Sequence, residues 1–186
     1  MDVDETLLNN VEYNRRRDLL GLGYSSESWA DWVKEESATP VPGSIEFVTK
    51  VLEKGGLIVL ITNRERELDS NTWNNLVALG FPVSRNNACI MGRSQADRNS
   101  EGTQGMINDK DLRRNQIATG TANYCWKNYP EAQEIWNKPL SIIFEVGDNI
   151  KDFSQTTQDN VDTKDFMERI STDVLLLPNA VYGSWE

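Results

Sequence analysis

Leu57-Ile58-Val59-Leu60-Ile61-Thr62-Asn63-Arg64 decides the fold. Leu57–Ile61 is an unbroken apolar run, β-branched in part, and polar residues follow at once. Such a run predicts a strand buried on both faces, as in a parallel sheet covered by helices. Working backwards, Gly55-Gly56 ends a helix. Its apolar stripe is Ile45, Phe47, Val48, Val51 and Leu52, and Pro42 can sit in its first turn. Working forwards, a helix is expected from about Asp69 to Leu79, closed by Gly80, and a short strand at 88–91. Ser141–Val146 and Thr172–Leu177 are two more expected strands, the second closed by Pro178. Strands alternating with helices predict a single α/β domain over 1–186, with a parallel sheet between two helical layers.

The remaining segments are more polar. In 9–40, Ser26 is expected to cap a helix carrying Trp29, Trp32 and Val33 at helical spacing. Residues 92–109 are rich in Gly, Ser, Asn and Asp and read as a long exposed loop, with a helix starting near Lys110. The stretch 121–140, rich in Trp and Tyr, suggests no role.

Composition narrows the chemistry. The chain has 186 residues, no histidine and a formal net charge of −10. Without histidine, Ser-His-Asp and Cys-His catalysis and His-ligated metals are excluded. The acidic balance disfavours a nucleic-acid polymer or an anionic membrane surface as partner. A small anionic substrate remains open, because a divalent cation can reverse the local field. No apolar run is long enough to span a bilayer, and no signal peptide opens the chain. The sequence leaves open whether Cys89 and Cys125 pair, and two free thiols are the slightly favoured reading.

Three segments carry the chemistry: Asp2-Val3-Asp4-Glu5-Thr6, Thr62-Asn63-Arg64 and Gly147-Asp148-Asn149-Ile150-Lys151-Asp152-Phe153. The last two directly follow expected buried strands, and ligands of open α/β sheets bind at the carboxyl ends of strands. Where the chain bends at such an end, Asp2 can aim at phosphorus while Asp4 reaches the leaving oxygen. That suits Asp2 as nucleophile and Asp4 as acid and then base. Asp148 adds a hard oxygen ligand, which with Asp2 suits Mg²⁺.

These segments resemble the conserved motifs of the haloacid dehalogenase superfamily. The finer resemblance is to the bacterial class C nonspecific acid phosphatases, the lipoprotein e family of 5′-nucleotidases. It extends to Trp29-Ala30-Asp31-Trp32, Pro42–Phe47 and Leu177–Glu186, and so along nearly the whole chain. It implies a three-layer Rossmann-like core with a small helical cap from about 9–40. It also implies hydrolysis of small phosphomonoesters, nucleoside 5′-monophosphates among them, through an aspartyl-phosphate. The implied roles are Asp2 as nucleophile, Asp4 as acid/base, Thr62, Asn63 and Lys110 as phosphate ligands, and Trp29 and Tyr182 as stacking partners. Mg²⁺ would be held by Asp2, the Asp4 main-chain carbonyl and Asp148, with Asp152 orienting a metal-bound water. The resemblance further implies a periplasmic, outer-membrane or cell-surface setting and allows a homodimer.

This sequence lacks the family's leader, its lipid-anchoring cysteine and an apolar strand ahead of Asp2. The expectation is an incomplete chain with a gap in its core, Asp2 on a frayed end, poor stability and little activity. The alternatives are a non-catalytic binding relative and a sugar or lipid phosphatase of the same superfamily. A two-component receiver domain is a further rival, but its acidic pair and phosphorylated Asp come in a different order.

Overall fold

The computed structural model describes residues 1–99, 110–157, 160–170, 172–179 and 181. Strand β1 (Leu8–Asn9) is followed by helices α1 (Val11–Leu19) and α2 (Ser26–Glu35), and then by strand β2 (Thr39–Pro40). The core continues with α3 (Ser44–Glu53), β3 (Ile58–Glu65), α4 (Asp69–Ala78), β4 (Ala88–Arg93) and α5 (Gln95–Asn99). It ends with α6 (Lys110–Thr119), α7 (Pro130–Trp136), β5 (Glu145–Gly147), α8 (Thr163–Arg169) and β6 (Val174–Leu176).

The architecture is α/β. β3 pairs in parallel with β4, and β5 with β6, while β1 and β2 form a small antiparallel pair. Met1 and Asp2 join the two parallel pairs. Met1 N donates to Val59 O at 2.8 Å, Ile61 N to Met1 O at 2.9 Å, and Asp2 N to Val146 O at 2.8 Å. Asp2 is therefore anchored between strands, contrary to the expected frayed end: its own backbone hydrogen bond and the two made by Met1 hold it in the sheet.

Alternate residues of β3 and β4 point to opposite faces, as a strand's period of two requires. Ile58, Leu60, Ala88 and Ile90 join a cluster with Val48 of α3, Leu76 of α4 and Trp32 and Val33 of α2. Ile61, Cys89 and Met91 join another with Ile117 of α6 and Trp136 of α7. The sheet is thus sandwiched between helices. Each fully buried Leu or Met in it is worth about 1.5–3 kcal/mol. In the segment 9–40, α2 packs its buried face on this core.

Several local expectations change. The cap of α2 is Ser25, one residue before Ser26: Ser25 is extended and its hydroxyl accepts from Ser28 N at 3.2 Å. Of the expected 141–146 strand only 145 and 146 are regular, in β5, because 141–144 border a slot of about 650 Å³ beside Met1, with no strand alongside among the described residues. Leu57, Ile142 and Ile143 are exposed at this slot. The expected loop 92–109 begins as the end of β4 and the short helix α5. There Asp97 is buried, because its carboxylate accepts from Ser94 N and Ser94 Oγ, each at 2.7 Å. Residues 100–109 lie outside the described residues. Cys89 and Cys125 are a disulfide and not free thiols, with Cα atoms 5.8 Å apart. Tight packing of the 121–136 segment onto β4 brings them together.

Candidate active site

The first motif is a turn. After Asp4 the chain reverses: Leu7 N and Leu8 N both donate to Val3 O, and Glu5 N donates to Leu8 O. Glu5 takes a left-handed φ of 52°, and its carboxylate accepts from Asn10 N at 2.8 Å, which offsets that cost. Asp2 and Asp4 are thereby presented at the carboxyl ends of the central strands, both buried.

Lys110, the first residue of α6, closes the site from the far side of the sheet. Its ammonium donates to Asp2 Oδ1 at 2.5 Å and to Asp152 Oδ1 at 2.6 Å. α6 was expected to begin here, and 108 positions of sequence separate the lysine from Asp2. One turn on, the fully buried Arg113 donates to Thr62 O, to Met91 O at 2.9 Å and to Asn63 Oδ1 at 2.9 Å. It ties together the ends of β3 and β4. Arg114 donates to the Asp152 carbonyl and pairs with Glu145 at 2.9 Å.

Gly147-Asp148-Asn149 forms the third edge. Asp152 Oδ2 accepts from Asp148 N at 3.2 Å and from Asn149 N at 2.9 Å. A Cβ at position 147 would lie 2.3 Å from the Asp152 Cβ, so only glycine lets Asp152 fold back here. Asp148 accepts from Thr6 Oγ1 at 3.1 Å and from Asn179 Nδ2 at 2.7 Å.

Carboxylate oxygens of Asp2, Asp148 and Asp152 lie within 4.8 Å of one another. Burial raises the Asp2 carboxyl well above its ordinary range; Lys110 opposes this, and Asp152, Asp148 and Asp4 reinforce it. Burial and Asp152 likewise raise Asp148, against the hydrogen bonds from Asn179 and Thr6. Burial works to lower the Lys110 ammonium, but Asp152 and Asp2 outweigh it and hold it above its usual value. The Lys110 ammonium thus bonds two of three clustered carboxylates, while the third, Asp148, accepts from neutral donors. That surplus of negative charge, on hard oxygen ligands, fits a divalent cation.

Asp4 stands apart from this cluster. Arg64 Nη2 donates to Asp4 Oδ1 at 2.6 Å, and Nε reaches Oδ1 and Oδ2 at 3.0 and 3.2 Å. Asn10 Nδ2 adds a bond at 3.0 Å, and the Thr62 hydroxyl lies 3.5 Å away. Asp4 opens onto a pocket of about 320 Å³ whose wall includes Tyr13, Tyr24, Trp29, Arg64 and Arg93. Trp29 meets Tyr13 edge-on at 4.9 Å between ring centroids.

The structure therefore brings together Asp2, Asp148, Asp152 and Lys110, with Asp4, Thr62 and Asn63 beside them. Trp29 lies across the Asp4 pocket, and Tyr182 is outside the described residues. Thr6 and Arg64 lie in the quoted segments but were given no role, and Asn10, Arg113 and Asn179 were not singled out from sequence. Arg113 and Arg114 could have been, since Lys110, Arg113, Arg114 and Ile117 fall at i, i+3, i+4 and i+7 on one helical face.

Comparison with known proteins identifies the family. The family model described as HAD superfamily, subfamily IIIB (acid phosphatase) matches residues 1–185. The class C acid phosphatase from Bacillus anthracis superposes with a TM-score of 0.71 at 25% identity, over 99% of this chain and 66% of that one. A tungstate-bound structure of the Bacillus anthracis enzyme gives a TM-score of 0.72 at 25% identity, covering 99% and 67%. This chain thus spans about two thirds of the length of those neighbours. With the family model matched along almost its whole length, the chain belongs to subfamily IIIB of the haloacid dehalogenase superfamily, the acid phosphatases.

Proposed function

We propose that the chain hydrolyses phosphomonoesters, nucleoside 5′-monophosphates among them, through an aspartyl-phosphate on Asp2 with Mg²⁺ as cofactor. The observation that carries this reading is Lys110 bridging Asp2 and Asp152, with Asp148 in the same cluster. Tungstate is an oxyanion like phosphate, and its binding by the Bacillus anthracis relative supports an oxyanion site.

An Asp2 carboxylate oxygen attacks phosphorus, and the bond from phosphorus to the leaving oxygen breaks as Asp4 gives that oxygen a proton. Asp4 then takes a proton from a water that attacks the phosphoryl group, releasing phosphate and restoring Asp2. Lys110 neutralises Asp2 and the incoming phosphate, and Thr62 and Asn63 hold phosphoryl oxygens. Mg²⁺, bound by Asp2, Asp148 and the Asp4 carbonyl, with Asp152 beside it, would offset the repulsion between an anionic nucleophile and an anionic ester. Trp29, on the pocket wall, offers a face on which a planar base can stack.

The disulfide favours an oxidising setting such as the cell envelope. Among the described residues, no helix is long and apolar enough to cross a membrane.

The test is phosphate release from p-nitrophenyl phosphate and AMP, with and without Mg²⁺, beside Asp2→Asn. The expected result is Mg²⁺-dependent turnover that the variant abolishes. A folded wild-type protein without turnover would instead favour a non-catalytic binding relative.

A further inference from the structure

The Asp4 pocket holds a cation that the chemistry above does not use. Arg93 ends β4, and its Cα is paired with that of Glu65 at the end of β3, so its side chain joins the same pocket wall as Asp4. The other charges there are matched: Asp4 is held by Arg64, and Glu65 by Arg98. Arg93 has no ion pair or hydrogen bond among the described residues, and its Nε is buried without a partner. Burial and the neighbouring Arg98 work against its charge, and the Tyr24 phenol, Glu65 and Asp97 offset this only in part. The pocket thus carries one unmatched positive charge in a protein of net charge −10. Tyr24 and Trp29 stand on the same wall, their ring centroids 6.4 Å apart.

Arg93 is half-buried, and its Nε is shielded from water without a partner, which is costly; a planar anion such as a carboxylate matches the guanidinium fork. We propose that Arg93 determines specificity, favouring phosphomonoesters whose leaving group is a planar ring bearing a second anionic substituent. The ring lies against Trp29 and Tyr24, and the anion sits on Arg93. A nucleotide with a carboxylate on its base belongs to this class. The proposal rests on the phosphatase reading, but the pocket's preference can be measured without turnover.

The leaving alcohols alone serve as probes. Quenching of tryptophan fluorescence is measured with 3-hydroxybenzoate and with phenol, for wild type, Arg93→Gln and Arg93→Lys, each checked for folding by circular dichroism. Wild type should bind the benzoate at least about tenfold more tightly than phenol, the size of a charge-assisted bond. Arg93→Gln should bring that ratio close to one, and Arg93→Lys should keep part of it. The ratio of kcat/KM for 3-carboxyphenyl phosphate to that for phenyl phosphate should follow the same order, chiefly through KM. Equal binding of the two alcohols by wild type, or a preference that survives in Arg93→Gln, overturns the proposal. Arg93-dependent binding without hydrolysis of either ester would uphold the pocket's preference and sink the phosphatase reading.

Discussion

Replacing Arg64 by Met tests how the acid/base group is held. The Arg64 side chain is 1% exposed and that of Asp4 12%. Three contacts of 2.6–3.2 Å join them, and Arg64 also donates to Thr72 Oγ1 at 3.1 Å. Methionine fills similar space but leaves a buried carboxylate with, among the described residues, Asn10 at 3.0 Å and Thr62 at 3.5 Å. Breaking one side of a buried pair costs about 3–5 kcal/mol. The surviving Asn10 bond puts Arg64→Met near the lower end, about 3 kcal/mol. For a chain of this size that lowers Tm by about 6–12 °C. Activity should fall about 100-fold, within the range general acid catalysis supplies. The fall should be larger for AMP, whose alkoxide needs a proton, than for p-nitrophenyl phosphate, whose leaving group does not. Removing both charges relieves the stranded carboxylate, so Asp4→Asn with Arg64→Met should recover at least about 1 kcal/mol of stability and none of the activity. Urea unfolding and initial rates on the two esters supply the numbers. An Arg64→Met protein as stable as wild type, or a double variant less stable than the single one, would refute the reasoning.

Two further outcomes follow from buried groups outside the site. Cys89–Cys125 closes a loop of 36 positions, and the chain-entropy model assigns such a link about 4 kcal/mol; Cys89→Ala with Cys125→Ala should lose stability of that order in urea, and a loss under 1 kcal/mol would contradict it. Asp69 is raised from 3.8 to about 7 by burial, against the Gly92 N–H and Arg66, and its Oδ1 has no partner among the described residues. A carboxyl that binds its proton more tightly when folded stabilises fully below pH 4, and that contribution is lost as pH rises through about 7. The rise corresponds to about 4 kcal/mol. The stability of Asp69→Asn relative to wild type should therefore increase between pH 4 and pH 8, and a difference that stays flat would contradict it.

The parts of the site that were legible in the sequence share one property: each follows its own strand or turn by a step or two. Thr62 and Asn63 come directly after the apolar run Leu57–Ile61, and Asp148 after Val146-Gly147. A buried strand followed by polar residues is a local pattern, and the fold places its end at the site. Lys110 needed the family resemblance, because nothing local says that a lysine 108 positions from Asp2 will touch it. Arg64, Asn10 and Arg113 were passed over for a related reason. A polar residue in a sequence reads as exposed, and only pairing across the fold makes burial affordable: Arg64 against Asp4, Arg113 against the carbonyls of Thr62 and Met91. The disulfide was misread for the same cause, since Cys89 and Cys125 stand 36 residues apart. The shortened β5 has a different origin. Ile142 and Ile143 have the residue types of a strand, but strand formation is a pairing property, and among the described residues no strand lies along 141–144 beside the slot at Met1. Composition can mark a segment as able to be a strand; its backbone partners decide how much of it becomes one.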